Sequence, residues 1–319
     1  MTAQPCLRGR AGKSAVAAPG RIGYRPTHMN AISGSQTLIP AEADQGFAVD
    51  LRHGLGFRAR NAMAVQDVVR GVGLWRLALM LSWLDIRLRY RGSVLGPLWL
   101  TLSTAVMVGA LGFVYAYLFK TPIRDYLPFL ALSLTLWNFL SAIVADGSTV
   151  FTQAEGMIRS MRVPFSLYIY QLLARNVLIF AHNIIVIVVV FAAFQTPVGW
   201  ASLAAIPALL LWMLDGAAVA LMLGALCARF RDIPPIVSSV MQIAFYVSGV
   251  MFKPDMLGHR SHFLLYDPFY SILEVLRAPL LGSLPSQATY ISALGFSAGL
   301  CLLGWLLFMR VRHRIAFWV

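Results

Sequence analysis

The sequence predicts an all-α integral membrane protein. Six transmembrane helices follow an interfacial amphipathic helix, and short helices re-enter the bilayer ahead of the last span. Three observations carry this. Hydrophobic residues make up 59% of the 319 and charged residues only 12%, too little polar surface for a soluble globule of this size. Six stretches, near 98–119, 126–145, 176–197, 201–226, 236–252 and 289–309, are long enough for a hydrocarbon core that takes about 20 apolar residues per helix. Five of the six contain no Asp, Glu, Lys or Arg. The net charge of +13 does not point to nucleic acid, because basic residues beside apolar spans orient a membrane protein.

Residues 1–62 are rich in Ala, Gly, Arg, Ser and Pro and hold no acidic residue before Glu42, which predicts a disordered basic tail. Its longest early apolar run, Ala15 to Ala18, is too short for a secretory signal, so the tail is expected to stay cytoplasmic. Met63 offers an alternative start, with the tail lying upstream of it.

Residues 63–95 follow as a cytoplasmic, interfacial helix. From Leu74 to Tyr90, Leu77, Leu81, Leu84 and Leu88 recur at helical spacing, with Trp75 and Trp83 nearby and Arg76, Arg87 and Arg91 on another side. Such a helix lies in the membrane interface with its tryptophans at headgroup depth. Asp85 and Arg89, four residues apart, are expected to pair.

The domain 96–319 holds the spans. The fourth span carries Asp215, whose insertion costs about 2.5–3.5 kcal/mol, and eight leucines, one isoleucine and one valine at roughly 0.3–0.6 kcal/mol each offset it. Between the last two spans, Phe252 to Tyr290 mixes apolar pairs with Asp267-Pro268 and Ala278-Pro279. Short helices dipping into the outer leaflet and a helix resting on the bundle both fit that pattern. Orientation follows from Lys and Arg. With the N-terminus inside, twelve basic residues near the spans are cytoplasmic (Arg76, Arg87, Arg89, Arg91, Arg159, Arg162, Arg175, Arg229, Arg231, Arg310, Arg312 and Arg314). Five lie outside (Lys120, Arg124, Lys253, Arg260 and Arg277), so both termini are expected in the cytoplasm.

Three runs in order, LRYRGSVLGPLWLTLS from Leu88, ARFRDIPPIV from Ala228 and DPFYSILEVLRAPLLG from Asp267, resemble the permease subunit of ABC-2 type polysaccharide exporters, the O-antigen and capsule export family. The likeness runs from about residue 70 to the C-terminus. It implies a homodimer of six-helix subunits in the bacterial inner membrane. Two separate ATPase subunits would bind ATP and Mg, and a lipid-linked polysaccharide would move outward. By the same resemblance, the loop holding Glu155, Arg159, Arg162 and Pro164 looks like the main ATPase coupling helix. The loop with Arg231 and Asp232 looks like a smaller contact, and Asp267, Pro268, Glu274 and Arg277 fall in the outer gate.

The residues fit this division of labour. The only Gly-Lys-Ser, Gly12 to Ser14, has Leu7 where a phosphate-binding loop needs its first glycine, so the chain is expected to be a transport subunit and not an ATPase. A glycan path needs aromatic faces and polar groups, and Phe113, Trp137, Gln242 and Tyr246 supply them at membrane depth. Gln242 inside an apolar run is costly unless it faces protein or water. Asp215 with His182 and Asn183 suggests either a proton relay or a structural pair. Gly295 and Gly299 permit close helix packing. The cysteines Cys6, Cys227 and Cys301 are isolated, and no metal site or bound cofactor is expected. An exporter of drugs or small lipids and a proton-driven secondary carrier are the alternative readings.

Overall fold

The computed structural model describes residues 56–319 apart from 94, 95, 97 and 198; the backbone but not the side chains of His259 and Arg260 is included. Most of the expected tail lies outside the described residues. Its last stretch does not, because helix α1 begins at Phe57 and runs to Gly73. Residues 57–62 are therefore helical, and Trp305 Nε1 donates to Asn61 Oδ1 at 3.0 Å.

The single interfacial helix expected over 63–95 is two, α1 and α2 (Trp75–Arg89), broken at Leu74. Small residues set the packing of both. Ala64, Asp67 and Gly71 form the buried face of α1, and a Cβ on Gly71 would lie 2.1 Å from Ser166 Oγ. In α2 the buried stripe is Ala78, Ser82 and Ile86, with Ser82 Oγ donating to the Gln171 carbonyl at 2.7 Å. The leucines Leu77, Leu84 and Leu88 and both tryptophans are exposed. The apolar stripe read from the sequence thus faces away from the protein, as an interfacial helix in lipid requires.

Five helices are long and apolar enough to cross a membrane: α3 (Leu98–Leu118), α4 (Ile123–Gln153), α6 (Phe165–Phe194), α7 (Ala205–Arg229) with the 3-10 turn Trp200–Ala204 before it, and α10 (Gln287–Trp318). Between α4 and α6 sits the short α5 (Glu155–Ser160). Helix α6 starts eleven residues before the expected span because Ser166, Gln171 and Arg175, which interrupt the apolar run, are paired inside the protein. Helix α4 is the centre. Every residue from Pro128 to Trp137 is buried, under α3, α6, α7, α8 and α9.

The expected fifth span, 236–252, is the main departure. Helix α8 (Ile233–Val247) has 15 residues, a rise of about 22 Å against a core of about 30 Å. Gly249, with φ +65°, turns the chain back after it. A 3-10 segment, Pro254–Tyr266, then leads into α9 (Pro268–Leu280). Nine of the thirteen residues of α9 are buried, and the helix packs against α4, α7 and α10. The helix is thus packed into the bundle and not rested on it, since a helix lying across the bundle's end would keep one face open.

Two glycines let backbones approach on either side of α7. A Cβ on Gly147 of α4 would lie 3.0 Å from Ala220 Cα, and one on Gly304 of α10 would lie 2.8 Å from the Ala218 carbonyl oxygen. Gly295 and Gly299, the pair marked by sequence, have nothing within 4 Å. Gly147→Ala and Gly304→Ala are therefore expected to destabilise the purified protein by about 1–3 kcal/mol, since backbone must move. Gly295→Ala and Gly299→Ala, in open helix positions, should be neutral or stabilising by up to about 1 kcal/mol. Thermal midpoints in one detergent would separate the two pairs.

Candidate functional site

The end of the bundle that carries α5 gathers the expected ATPase-contact residues. The break at Ala154 (φ −90°, ψ 7°) frees α5 from the α4 axis, and Arg159 Nη2 sits 2.8 Å from Glu155 Oε1. Both side chains are substantially exposed, so this pair contributes little to stability. Arg159 also donates to the backbone carbonyl of Val319. Arg162 is exposed, and Pro164 stands at the N-cap of α6. In the α7–α8 loop Arg231 and Asp232 are exposed. Arg229, just before them, lies 5.8 Å from the centre of the Trp318 ring. The two loops are therefore fastened to the same element, the last turn of α10.

Pro164 offers no side-chain acceptor to the opening turn of α6. Asp67 supplies it from α1: its carboxylate accepts from Phe165 N at 3.3 Å and Ser166 N at 3.0 Å, while Ser166 Oγ donates back to the Asp67 carbonyl at 2.8 Å. Arg312 of α10 pairs with the same carboxylate at 2.8 Å. Asp67 is fully buried, so its charge is tolerated only through these partners. Sequence reasoning missed it. The available signal was that it is the sole acid between residues 51 and 84.

A second buried charge group lies along α6. Arg175 donates to Asp146 Oδ2 at 2.9 Å and Asp85 Oδ2 at 3.3 Å; Gln171 Nε2 reaches Asp85 at 2.8 Å and Asn176 Nδ2 reaches Asp146 at 3.0 Å. Asp85 therefore turns toward α6 rather than pairing with Arg89, because a buried guanidinium demands partners more strongly than an exposed one.

At the opposite end, the four expected gate residues form two units. Asp267 caps α9, accepting from Phe269 N at 2.9 Å, and Pro268 fills the first helical position, where its missing N–H is harmless. Glu274 and Arg277 pair through Arg277 Nε at 2.8 Å. Arg277 is completely buried: Nη1 also donates to the Gly249 carbonyl at 2.7 Å and Ser133 Oγ at 3.1 Å, and its guanidinium lies 4.6 Å from the Phe129 ring centre. One side chain thereby ties α9 to α4 and to the turn that ends α8. A polar cavity of about 830 Å³ opens beside it, lined by Glu274, Lys253, Asp255 and Tyr270 among others.

Of the expected path residues, Phe113, Gln242 and Tyr246 lie on exposed faces, the first on α3 and the other two one turn apart on α8. Trp137 does not. It is buried in the core between the rings of Phe245 and Phe269, each 5.9 Å away, and lines no open path here.

Asp215 accepts from Ser297 Oγ at 2.7 Å, while His182 Nδ1 contacts the Leu178 carbonyl of its own helix at 2.8 Å. The two do not form a relay. Gly295-Phe296-Ser297-Ala298-Gly299 also has the spacing of a hydrolase nucleophile elbow, but it lies inside continuous α10 with no strand-to-helix turn, and Ser297 meets an aspartate with no histidine. No cluster of three or more His, Cys, Asp or Glu suited to a metal occurs among the described residues.

The chain is 25% identical over 249 residues to the O-antigen export system permease protein RfbA of Klebsiella pneumoniae, covering 76% of this chain and 95% of that protein. It is 23% identical over 209 residues to the protein of the same name from Myxococcus xanthus, covering 63% and 79%. Residues 76–281, from α2 through α9, match the sequence profile described as ABC-2 type transporter, and the chain belongs to that family.

Proposed function

We propose that this chain is the permease subunit of an ATP-driven exporter that moves a lipid-linked polysaccharide, such as O-antigen or capsule, across the bacterial inner membrane. It works as a homodimer with two ATPase subunits, which bind the ATP and Mg, and both of its termini are cytoplasmic. The observation that carries this reading is the short exposed helix α5, set beyond the ends of α4 and α6 and tied by Arg159 to the end of α10. A helix that rests Met157 and Ile158 on the core and leaves Gly156, Arg159 and Ser160 exposed is held in place yet open on one side, and is suited to receive force from a partner. The names of the relatives support the cargo. The exposed faces of α3 and α8, bearing Phe113, Gln242 and Tyr246, supply the path once a second copy covers them, since Gln242 facing hydrocarbon is unfavourable.

In this scheme Glu155, Arg159, Arg162 and Pro164 form the main ATPase contact, with Arg231 and Asp232 beside it. Asp267, Pro268, Glu274 and Arg277 hold the outer gate. In a strain lacking the chain, surface polysaccharide should vanish and return with the wild-type gene, and the ATPase should co-purify with it. Unchanged surface glycan in that strain would sink the cargo assignment.

Replacing Glu155 and Arg159 together by Ala should lower ATPase co-purification at least about tenfold, a loss of about 1.4 kcal/mol in affinity, while the permease still reaches the membrane. Arg277→Met leaves Glu274 and the Gly249 carbonyl without their partner, so it should destabilise the permease by about 3–5 kcal/mol, read as a lower thermal midpoint. Asp215→Asn keeps an acceptor for Ser297 and should leave export within about twofold; a proton-coupled carrier would instead lose flux with normal assembly.

A further inference from the structure

We propose that the cavity between α1, α5, the start of α6 and the end of α10 binds the phosphate of an anionic phospholipid, phosphatidylglycerol. The cavity measures about 640 Å³, and its lining includes Asp67, Arg70, Leu74, Arg162, Phe165 and Arg312. Its charges do not balance. The Asp67 carboxylate is fully buried and accepts from the backbone N–H groups of Phe165 and Ser166 and from Arg312, so Asp67 and Arg312 neutralise each other within the wall. Arg70 on α1 and Arg162 in the loop between α5 and α6 are exposed, and neither guanidinium has an ion-pair partner among the described residues. The cavity therefore offers two free positive charges from two different elements. Among the described residues, Asp67 is the only acid in its lining.

The chemistry of this recess selects the ligand. A guanidinium presents a planar fork of N–H donors that matches two oxygens of a phosphate. Apolar walls, here Leu74, Ile158, Val163 and Phe165, focus the field of like charges into the cleft between them. A zwitterionic headgroup would bring its cation into the same recess, where no carboxylate is free to meet it. A headgroup with a phosphate and no cation fits.

Its source is the bilayer. Leu74 lines the cavity, and Trp75, which follows it, opens α2, the helix whose exposed tryptophans belong at headgroup depth. On α1, Val65, Val69 and Val72 recur at helical spacing and are all exposed, so the helix that carries Arg70 also presents an apolar flank to acyl chains. A basic recess that opens beside lipid-facing helices is the setting in which anionic headgroups are held. The inference needs α1 and α2 to lie at the membrane interface and does not depend on the cargo.

The test uses the full-length permease without its ATPase, because Arg162 also stands in the proposed ATPase contact. Nanodiscs of phosphatidylcholine alone, or with phosphatidylethanolamine or phosphatidylglycerol, are read by native mass spectrometry of retained lipid and by thermal midpoint. Wild type is expected to retain phosphatidylglycerol preferentially and to gain stability from it, with phosphatidylethanolamine no better than phosphatidylcholine. Arg70→Gln and Arg162→Gln should each cut that retention about fivefold, the equivalent of about 1 kcal/mol per basic residue at a membrane surface. Arg87→Gln removes the same charge from an exposed position of α2 outside the cavity and should leave retention unchanged. All three substitutions fall at exposed positions, where folding is little affected. Equal losses in the three variants would mean diffuse attraction to an anionic membrane and would overturn the site. Equal retention of the three lipids also overturns it and leaves the cavity to a protein partner. If inorganic phosphate added to phosphatidylcholine discs reproduces the gain in midpoint, the ligand is soluble phosphate and the lipid source is wrong.

Discussion

The carboxylate of Asp67 does work that no neighbouring residue of α6 can do. A helix that starts inside a protein must satisfy its first N–H groups, and the residue at the cap here is a proline with nothing to offer. By reaching across from α1, Asp67 closes that gap and draws Arg312 of α10 into the same group. Three helices far apart in sequence are thereby fixed at the end where α5 emerges. The seating of α1 against α6 and α10 depends on this one buried charge.

The family match stops short of these contacts on both sides. It covers α2 to α9, whereas Asp67 lies before it and Arg312, Trp318 and Val319 lie after it. Four of the five long helices, α3, α4, α6 and α7, and the loops that hold α5 and Arg231 lie within the shared region, while α1 and α10, which help to align them, flank it.

Much of this was legible in the sequence. Long apolar runs, interrupted only by Asp215 in α7, located α3, α7 and most of α10, because a hydrocarbon solvent leaves no alternative to a continuous helix. Composition failed where polar side chains are buried. The start of α6 was misjudged because Gln171 and Arg175 look like loop residues until their partners on α2 and α4 are known. Sequence alone does not show that Glu274 and Arg277 pair, or that Trp137 packs between Phe245 and Phe269 in the core, because both follow from neighbours on other turns and helices. The packing glycines were not the ones with the familiar spacing: Gly147 and Gly304 are recognisable only from what stands opposite them. Periodicity within a helix says which face is apolar, and it cannot say whether lipid or protein lies against that face, as α2 shows.

The shortness of α8 has a mechanical meaning. Its 15 residues are too few to cross the hydrocarbon core, and the carbonyls beyond it are satisfied by side chains, that of Gly249 by Arg277 and that of Met251 by the Tyr126 hydroxyl at 2.6 Å. The other long spans keep their backbone groups in their own hydrogen-bond ladders, so reshaping one means unwinding it. This corner of the molecule is held instead by two side-chain bonds, so moving α8 against α9 means exchanging those bonds and not unwinding a helix.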